Sequence, residues 1–529
     1  MLQLVWTVKF LTRPPGTGSI LMSAEPHVAV LSGQYLDSHC SSCCGPASSH
    51  RLKRCTRCQA IWYCDAACQN RDWFMHKFEC TAIQNWASTA PSSELAIPSE
   101  AVRCLGRIAW TQRKKGLGSA WSREINAMQS HRPSLSPSVT ETHTHLAHSL
   151  VRYLGLTSSA GLTEFGVTSA GDLVDMISRA SHYFISLLFI TNTFTLTSPA
   201  LTPLGITVSP PFALINHSCD PNAVIVFPRA NRSPSKHEPL MQLVALREIR
   251  ANEEILTAYI DTTLPRMKRQ QSLQETYSFD CRCGLCSGQL DLDPRESMWC
   301  PKSCGGICPL PTEENNFTRC AQCKSVVSST EAVLDALRVG QEGLDKANLV
   351  QLRDPAKAIQ LTSNLIPILI SAGLTPSCHP LLALTRLHQS LLISSFQSDM
   401  TQDILDETIR MIAKSTAGLS SNLRVGHPVR GVALAELGKA LAVDEPAPKA
   451  NTTAVTFPPS GPQRLKSAYE TLVQARNELF IGFGKQNDGG QVGQEIRESI
   501  VSLEKEIGVW SQGVRNVIQD IPKPDRNKA

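Results

Sequence analysis

The stretch Asn216-His217-Ser218-Cys219-Asp220-Pro221-Asn222 lies between two apolar segments and is the most informative part of this 529-residue chain. Phe212–Ile215 precedes it, and the β-branched run Ala223–Phe227 follows it. β-branched and aromatic residues favour strands, whereas Asn, Asp, Ser and Pro favour turns. The pattern therefore predicts two strands around a polar turn. Taken alone, Asn-His-Ser fits an ordinary turn as well as a functional site.

A second pair of strands is predicted a little further along the chain. Leu243–Ile249 and Glu254–Ile260 are apolar segments joined by a short polar connection. Asn252, within that connection, can adopt the left-handed backbone conformation that a tight turn requires. We therefore expect these two strands to form a hairpin.

Two tyrosines and three closely spaced cysteines accompany these strands. Tyr259 lies five residues after Glu254, Tyr277 follows 18 residues later, and Cys281-x-Cys283-x2-Cys286 comes next. Together with residues 216–222, these spacings resemble the SET domain and the cysteine-rich post-SET segment of protein lysine methyltransferases. They decide against an ordinary turn.

The chain has 19 cysteines, most of them in three clusters at residues 40–80, 281–286 and 300–323. Cysteines that serve as small core hydrophobes would follow the apolar pattern instead of clustering. The number is odd, and no signal-peptide pattern opens the sequence, which argues against a secreted disulfide framework. We therefore expect reduced thiols that bind metal ions.

The first cluster contains four pairs of potential ligands: Cys40-x2-Cys43, Cys55-x2-Cys58, Cys64-x3-Cys68 and His76-x3-Cys80. A CxxC turn or a helical i, i+4 pair supplies two donors, and tetrahedral zinc needs four. Two zinc ions are predicted, one held by four cysteines and the other by three cysteines and a histidine. Cys44 is a spare neighbour of Cys43, so the register can shift by one residue.

The segment resembles a MYND zinc finger, including the pair Trp62-Tyr63 and the spacing Trp73-x2-His76. The resemblance implies interleaved sites, with Cys40, Cys43, Cys64 and Cys68 on one zinc and Cys55, Cys58, His76 and Cys80 on the other. Fingers of this family bind proteins, often through proline-rich peptides. The whole chain is similar to the SET and MYND domain family.

This resemblance implies an S-adenosylmethionine-dependent protein lysine N-methyltransferase that acts on a histone or another protein. Asn192-Thr193-Phe194 matches a cofactor segment of the family. The implied catalytic residues are Tyr259, beside the transferred methyl group, and Tyr277, in the lysine channel. The implied cofactor-binding residues are Asn192 and Asn216 at the methionine end, the His217 backbone and Phe279 at the adenine, and Tyr259.

Two further metal sites are expected downstream. By the same resemblance, Cys219, Cys281, Cys283 and Cys286 bind a third zinc ion, since the lone Cys219 supplies the ligand that the trio lacks. Such a zinc would couple the post-SET loop to the cofactor pocket. The spacing of Cys300, Cys304, Cys320 and Cys323 fits a zinc ribbon, with Cys308 as an extra thiol. We therefore expect three zinc ions, and four if the ribbon binds metal.

The chain departs from the family at its start. The family opens with a strand that carries Gly-x-Gly, but the first strand here has none, and Gly16-Thr17-Gly18 follows Pro14-Pro15 and is interpreted as a turn. Either the true start lies upstream of Met1, or one wall of the cofactor site is degenerate. The second case leaves an alternative function, a catalytically impaired MYND/SET scaffold for protein interactions.

The predicted fold is α+β, a β-rich SET fold with a pseudoknot, an inserted MYND finger and helical insert, a zinc-bearing post-SET segment and a C-terminal all-helical, TPR-like domain. Helices are expected at Ala101–Trp110 and from Ala170, around a flexible Ser130–His148 loop whose histidines are solvated. Leu384, Leu387 and Leu391 mark a buried helical stripe, and the linker Asp444–Pro462 separates two helical sets.

The domain boundaries are 1–39 (SET, N-terminal part), 40–80 (MYND), 81–180 (insert), 181–262 (SET core), 263–290 (post-SET), 296–326 (ribbon) and 330–522 (helical domain).

Composition excludes several other classes of protein. Hydrophobic residues make up 42% and charged residues 18%, with no apolar run near 18 residues, so we expect no membrane span. The formal charge of +5 is not concentrated in one block, and no basic helix adjoins the fingers, which argues against sequence-specific nucleic-acid binding. We expect a monomer in the cytoplasm, the nucleus or both, with a protein lysine as substrate.

Overall fold

The computed structural model describes residues 14–47, 51–128, 137–156, 161, 163–165, 192–230, 238–288, 292–314, 317–327, 330–396, 400–446 and 457–520. The chain divides into two compact units. The first comprises Met1–Asp261, Arg266–Cys286 and Phe483–Gln491, and the second Thr262–Pro265, Ser287–Gly482 and Val492–Ala529. In the part of the chain described, no helix has the length and apolar character needed to cross a membrane.

The first unit contains small sheets. Its strands are β1 (Ile20–Ala24), β2 (Val28–Leu31), β3 (Lys53–Arg54), β4 (Trp62–Tyr63), β5 (Thr193–Thr197), β6 (Pro203–Val208), β7 (Asn216–His217), β8 (Ala223–Val226), β9 (Met241–Ala245) and β10 (Leu256–Thr257). Two sheets are three-stranded and antiparallel, in the orders β1-β9-β8 and β2-β6-β5. The strands β3 and β4 pair antiparallel, and β7 and β10 pair parallel.

Helices cover these sheets. They are α1 (Ala66–Ser88), α2 (Glu100–Lys115), α3 (Ala120–Ala127), α4 (Pro137–Leu154), α5 (Pro210–Ala213) and α6 (Arg266–Tyr277). The Ser99 side chain caps α2 by accepting from the Val102 N–H, and Gly116 ends that helix at a φ of 88°. Leu105 and Ile108 of α2 pack with Val30 and Ile206 in a buried cluster. The helix α2 thus anchors to the β2-β6-β5 sheet.

The second unit begins with a short hairpin and continues as helices. Strands β11 (Ser297–Trp299) and β12 (Ile307–Pro309) pair antiparallel. The helices are α7 (Thr330–Val350), α8 (Pro355–Ser371), α9 (Leu381–Ser395), α10 (Gln402–Asn422), α11 (Pro428–Leu441), α12 (Pro462–Gly482) and α13 (Gly490–Asp520). From α7 to α12 each helix packs against the next. Leu384 and Leu391 are buried and Leu387 partly so, which confirms the expected stripe.

Several predicted elements differ from those observed. Phe212–Ile215 is not a strand: α5 occupies Pro210–Ala213, because Pro210 and Pro211 fix the backbone angles of a first helical turn. The expected hairpin of Leu243–Ile249 with Glu254–Ile260 is also wrong. Strand β9 pairs with β1 and β8, whereas β10 pairs with β7. The turn prediction is confirmed, since Asn252 has a φ of 65°.

The expected flexible loop Ser130–His148 is wrong from Pro137 onward, because α4 runs from Pro137 to Leu154. Leu150 and Tyr153 are buried and give this helix an apolar face that its Ser, Thr and His content obscured. His143 is buried, whereas His145 is exposed. His131 and the helix expected from Ala170 to Leu188 lie outside the described residues. The helix expected at Ala101–Trp110 is confirmed, because it forms part of α2.

The linker Asp444–Pro462 does not separate two helical sets, because the helices on its two sides pack on each other. A Cβ added at Gly438 of α11 would lie 2.5 Å from the side chain of Leu472 of α12, so only glycine permits this approach. Residues 447–456 of the linker lie outside the described residues. The connection therefore joins neighbours in one helical array.

Gly16-Thr17-Gly18 forms a turn that leads into β1, as expected. The Ser19 N–H donates to the Gly16 carbonyl at 3.1 Å, and Gly18 has a φ of 78°. The Gly18 N–H then bonds the Ala245 carbonyl at 2.8 Å, which fixes the start of the β1-β9 pair. Residues 1–13, where the family has its glycine pair, lie outside the described residues.

Candidate functional site

Residues 40–80 bring eight donor atoms into two compact groups. Within each group the donors lie within 4.8 Å of one another, and the groups are Cys40, Cys43, Cys64 and Cys68, and Cys55, Cys58, His76 and Cys80. The Sγ atoms of Cys43 and Cys64 are 3.8 Å apart. Zinc–sulfur bonds of about 2.3 Å in a tetrahedron place two sulfurs about 3.8 Å apart. The interleaved grouping implied by the resemblance is therefore the one observed, and it fits zinc.

Local backbone geometry explains how the sequence presents these ligands. In each of the two CxxC turns a left-handed residue follows the second cysteine: Cys44, with a φ of 56°, and Gln59, with a φ of 55°. Their N–H groups return to the carbonyls of Cys40 and Cys55 at 2.7 and 3.0 Å. Cys44 is thus the turn residue and belongs to neither ligand group. The register with Cys43 as ligand is the observed one.

Of the other four donors of the finger, Cys64 follows β4, and helix α1 supplies Cys68, His76 and Cys80 from one rigid element. The Asp65 side chain caps its start by accepting from the Cys68 N–H at 2.8 Å. His76 and Cys80 lie one helical turn apart on the same face. The His76 Nε2 atom is 3.4 Å from Cys55 Sγ and 3.7 Å from Cys58 Sγ, separations that suit ligands on one tetrahedral ion.

A buried charge network behind His76 was not predicted from the sequence. Glu79 Oε2 lies 3.7 Å from His76 Nδ1 and accepts from Arg107 Nε at 3.1 Å. Arg107 also pairs with Asp72 at 3.1 Å, and the Tyr63 hydroxyl donates to Asp72 at 2.8 Å. Burial raises the pKa of Glu79, but Arg107 and His76 outweigh it and hold this pKa below its ordinary value. Glu79 is therefore a carboxylate beside the His76 ring, whose other nitrogen, Nε2, faces the thiols of the second donor group.

A third group of donors joins Cys219 to the cysteine trio, as the resemblance implied. All four Sγ atoms of Cys219, Cys281, Cys283 and Cys286 lie within 4.8 Å of one another. Those of Cys219 and Cys286 are 3.5 Å apart. Cys219 comes two residues after β7, and the trio follows α6, so residues far apart in the chain meet at one tetrahedral site.

Helix α6 holds this third group in place through two residues that sequence reasoning missed. Gln270 Nε2 donates to the Cys281 carbonyl at 2.7 Å, and Gln270 Oε1 accepts from the Cys281 N–H at 3.0 Å. Arg269 donates to the Leu285 carbonyl at 3.1 Å. The only sequence signal was their position 11 and 12 residues before Cys281, on the helix that precedes the trio.

An aromatic cluster adjoins the third metal site and contains four of the expected site residues. The His217 ring lies 5.2 Å from the ring of Tyr259 and 6.0 Å from that of Phe279, measured between centroids. The rings of Tyr259 and Tyr277 are 4.9 Å apart. His217 Nδ1 also accepts from the Tyr259 N–H at 3.0 Å. The structure thus brings the predicted catalytic tyrosines and two cofactor residues together.

The Tyr259 hydroxyl donates to the Ile215 carbonyl at 2.5 Å, beside the start of residues 216–222. Burial raises the pKa of Tyr259 to about 12, and the neighbouring carboxylate of Glu254 adds to the shift. Burial likewise raises the pKa of Tyr277, whose hydroxyl lies 3.5 Å from the Tyr259 carbonyl. Both hydroxyls are therefore neutral at physiological pH and can orient a reactant without adding charge.

The segment 254–257 fixes the turn that carries Asn216. The parallel pair places Leu256 opposite Asn216 and Thr257 opposite His217. Asn216 Nδ2 donates to Glu254 Oε1 at 2.6 Å, and the Asn222 side chain bonds the backbone at both Glu254 and Leu256, at 2.8 Å each. Glu254 is a site residue that the sequence suggested only through its spacing from Tyr259.

Asn192 is buried and immediately precedes β5. Thr193 pairs with Val208, the last residue of β6, from which the chain passes through α5 to Asn216.

Cys300, Cys304, Cys320 and Cys323 form a fourth group of donors within 4.8 Å, in the second unit.

Comparison with known proteins agrees with these sites. Residues 39–80 match the MYND finger family, and residues 108–260 match the SET domain family. The chain is 28% identical to N-lysine methyltransferase SMYD2-B of Xenopus laevis, over 52% of this chain and 57% of that protein. It is 30% identical to N-lysine methyltransferase SMYD2 of Gallus gallus, over 51% of this chain and 55% of that protein.

A plant protein aligns over a longer part of the chain. Histone-lysine N-methyltransferase ASHR1 of Arabidopsis thaliana is 25% identical over 66% of this chain and 71% of its own length. By contrast, the alignments to the two vertebrate proteins span little more than half of those relatives.

Proposed function

Because the chain belongs to the family of proteins that combine a SET domain with a MYND zinc finger, we propose that it is an S-adenosylmethionine-dependent protein lysine N-methyltransferase. The observation that carries the proposal is an aromatic cluster beside four thiols, in which Tyr259 and Phe279 contact His217 and Tyr277 contacts Tyr259. Pockets with apolar walls and a few placed polar atoms are typical of cofactor sites.

The residues of this cluster fit the cofactor, which supplies a methyl group on a sulfonium when bound. Asn216 uses its Nδ2 on Glu254, so its Oδ1 is the atom that accepts from the ammonium of the methionine end, together with Asn192. In this proposal the His217 backbone and the ring of Phe279 receive the adenine. The Ile215 carbonyl, which already accepts from Tyr259, can also accept weak C–H···O contacts from the methyl group.

The acceptor lysine must lose its proton before its amine can attack. With a pKa near 10.4, about 3.4 units above pH 7, a retained proton would add roughly 4–5 kcal/mol to the barrier. In this proposal the lysine enters beside the rings of Tyr259 and Tyr277, which are in contact with each other, and their apolar surface lowers the lysine pKa by desolvation. Since Tyr259 keeps its own proton, it orients the amine and does not act as the base.

The proposal includes three zinc ions at the donor groups of residues 40–80 and 219–286. It also includes the domain boundaries given above, the pseudoknot at residues 216–222 and the TPR-like character of the helical array. The parallel pairing of β7 with β10 and the packing of each helix from α7 to α12 against the next support these last two features. We further propose a monomer in the cytoplasm or nucleus, whose finger binds proline-rich peptides.

Methyl transfer from labelled S-adenosylmethionine to candidate proteins tests the function, with mass spectrometry identifying methyl-lysine. We expect Tyr259→Phe to lower kcat about 10²-fold, because the amine loses its orienting hydroxyl. Equal rates for the variant and the wild-type chain would remove Tyr259 from the mechanism.

The alternative, a protein-interaction scaffold without turnover, is favoured by one observation. Gly16-Thr17-Gly18 is a turn and does not supply the strand glycines that approach the cofactor in the family. The two proposals differ in cofactor binding: a chain that holds its zinc ions but does not bind S-adenosylmethionine is a scaffold.

A further inference from the structure

The second unit contains a cluster of four cysteines outside the residues that match the SET and MYND families. We propose that residues 297–327 are a zinc ribbon in which Cys300, Cys304, Cys320 and Cys323 hold a further Zn²⁺, and that this ribbon covers the first helices of the array. The inference does not depend on methyl transfer, because it concerns the folding of a different part of the chain.

The distances between the thiols fit one tetrahedral ion. The Sγ atoms of Cys300 and Cys323 are 3.6 Å apart, and those of Cys304 and Cys320 are 3.5 Å apart. These values lie near the roughly 3.8 Å between sulfurs on tetrahedral zinc, and far from the disulfide length of about 2.05 Å. The four thiols are therefore arranged as ligands and not as two disulfides.

The turn at Cys320 repeats, position by position, the backbone of the finger turn at Cys40. Lys324, with a φ of 60°, donates its N–H to the Cys320 carbonyl at 3.1 Å, as Cys44 does to Cys40. The Cys320 N–H donates to the Ser325 carbonyl at 2.9 Å, as that of Cys40 does to Gly45 at 2.8 Å. A single β-bridge closes each turn, Arg319 with Val326 and His39 with Pro46.

Backbone N–H groups also point at the thiols of the ribbon. Those of Gln322 and Cys323 lie 3.4 and 3.5 Å from Cys320 Sγ, and that of Gly306 lies 3.4 Å from Cys304 Sγ. Donors of this kind stabilise thiolates, the form that binds metal. A Cβ at Gly306 would lie 2.8 Å from Cys320 Sγ, so glycine at this position lets the two turns approach each other.

The ribbon is part of the same core as the helices that follow it. The Trp299 N–H donates to the Gly373 carbonyl at 2.7 Å, and Met298 forms a β-bridge with Leu374. Met298 and Cys308 are buried in one cluster with residues of α7, α8 and α9. Arrays of stacked helices need a cap at their ends. A cap of about 30 residues has too small a core to be stable alone, and a metal ion supplies the missing free energy of folding.

Metal analysis and native mass spectrometry of the full-length, reduced chain test the proposal. We expect four zinc ions per wild-type chain and three in the double variant Cys320→Ser/Cys323→Ser. The control variant Cys308→Ala alters a thiol in the same ribbon that is outside the ligand group, and it should retain four. Three zinc ions in the wild type, four in the double variant, or iron in place of the fourth zinc would overturn the assignment.

A second pair of variants keeps the test decisive if the double variant does not fold. Cys323 is the exposed ligand of the group, so substitutions there disturb the core least. Cys323→His retains a zinc ligand and should keep four ions, whereas Cys323→Ala should lose one. Equal zinc content in these two variants would contradict a role for Cys323 as a ligand.

Discussion

Glu254 accepts a hydrogen bond from Asn216 Nδ2 at 2.6 Å and thereby sets which Asn216 atom would face the proposed cofactor. Removing a charged acceptor costs about 1.5–3 kcal/mol in such a bond. We therefore expect Glu254→Ala to weaken S-adenosylmethionine binding about 10- to 100-fold in calorimetry. Glu248→Ala, at an exposed position on the connection between β9 and β10, is the control and should bind as the wild type does.

Among individual residues, the ligands of the metal sites were predictable from the sequence, but the residues that contact those ligands were not. Cysteine spacing is a local property of the sequence, and the three groups expected at residues 40–80 and 219–286 are the observed ones. Glu79 and Gln270 act through contacts with His76 and Cys281 that follow from tertiary structure. In a sequence each looks like an ordinary polar helix residue.

Helix α2 carries a cation into the interior of the first unit. Arg107 is buried against the carboxylates of Asp72 and Glu79 on α1. Arg107→Met would leave two buried carboxylates uncompensated, which costs about 3–5 kcal/mol. We expect the melting transition of this unit to fall by roughly 10 °C in calorimetric scans.

The same helix offers a matched control for this prediction. Arg113 pairs with Glu164 at 2.6 Å, but both side chains are about half exposed. Exposed ion pairs contribute about 0–1 kcal/mol, so Arg113→Met should shift the transition little. If the two variants melted at the same temperature, the buried network would have no special role in stability.

Helix α6 bears two adjacent glutamines with different contacts. Gln270 bonds both backbone groups of Cys281, whereas Gln271 bonds Glu275 on its own helix at 2.8 Å. Gln270→Ala should release the third zinc ion faster to a chromophoric chelator, by about 10- to 100-fold, because the ligand loop loses its clamp. Gln271→Ala should release zinc at the wild-type rate, and faster release from both variants would refute the clamp.

The elements that the sequence mispredicted share a physical cause. Strand β10 pairs with β7, 40 residues earlier, although adjacency in sequence favoured β9 as its partner. Helix α4 forms despite its Ser, Thr and His content, because Leu150 and Tyr153 pack into the interior. In both cases tertiary contacts override local propensity.

For the whole molecule, the donor groups are divided between the two compact units, three in the first and the proposed ribbon in the second. Because the energy of binding structural zinc is also folding energy, the proposed zinc sites predict that each unit loses stability when metal is removed. The domain boundaries inside each unit, the cell compartment and the monomeric state remain predictions from the sequence.

Titration of the zinc-loaded, full-length chain with S-adenosylmethionine in a calorimeter tests the central claim most directly. The arrangement of Asn216, His217, Tyr259 and Phe279 beside the third metal site predicts saturable binding of one cofactor per chain. The absence of binding to a chain that retains its zinc ions would contradict the methyltransferase account and leave the scaffold.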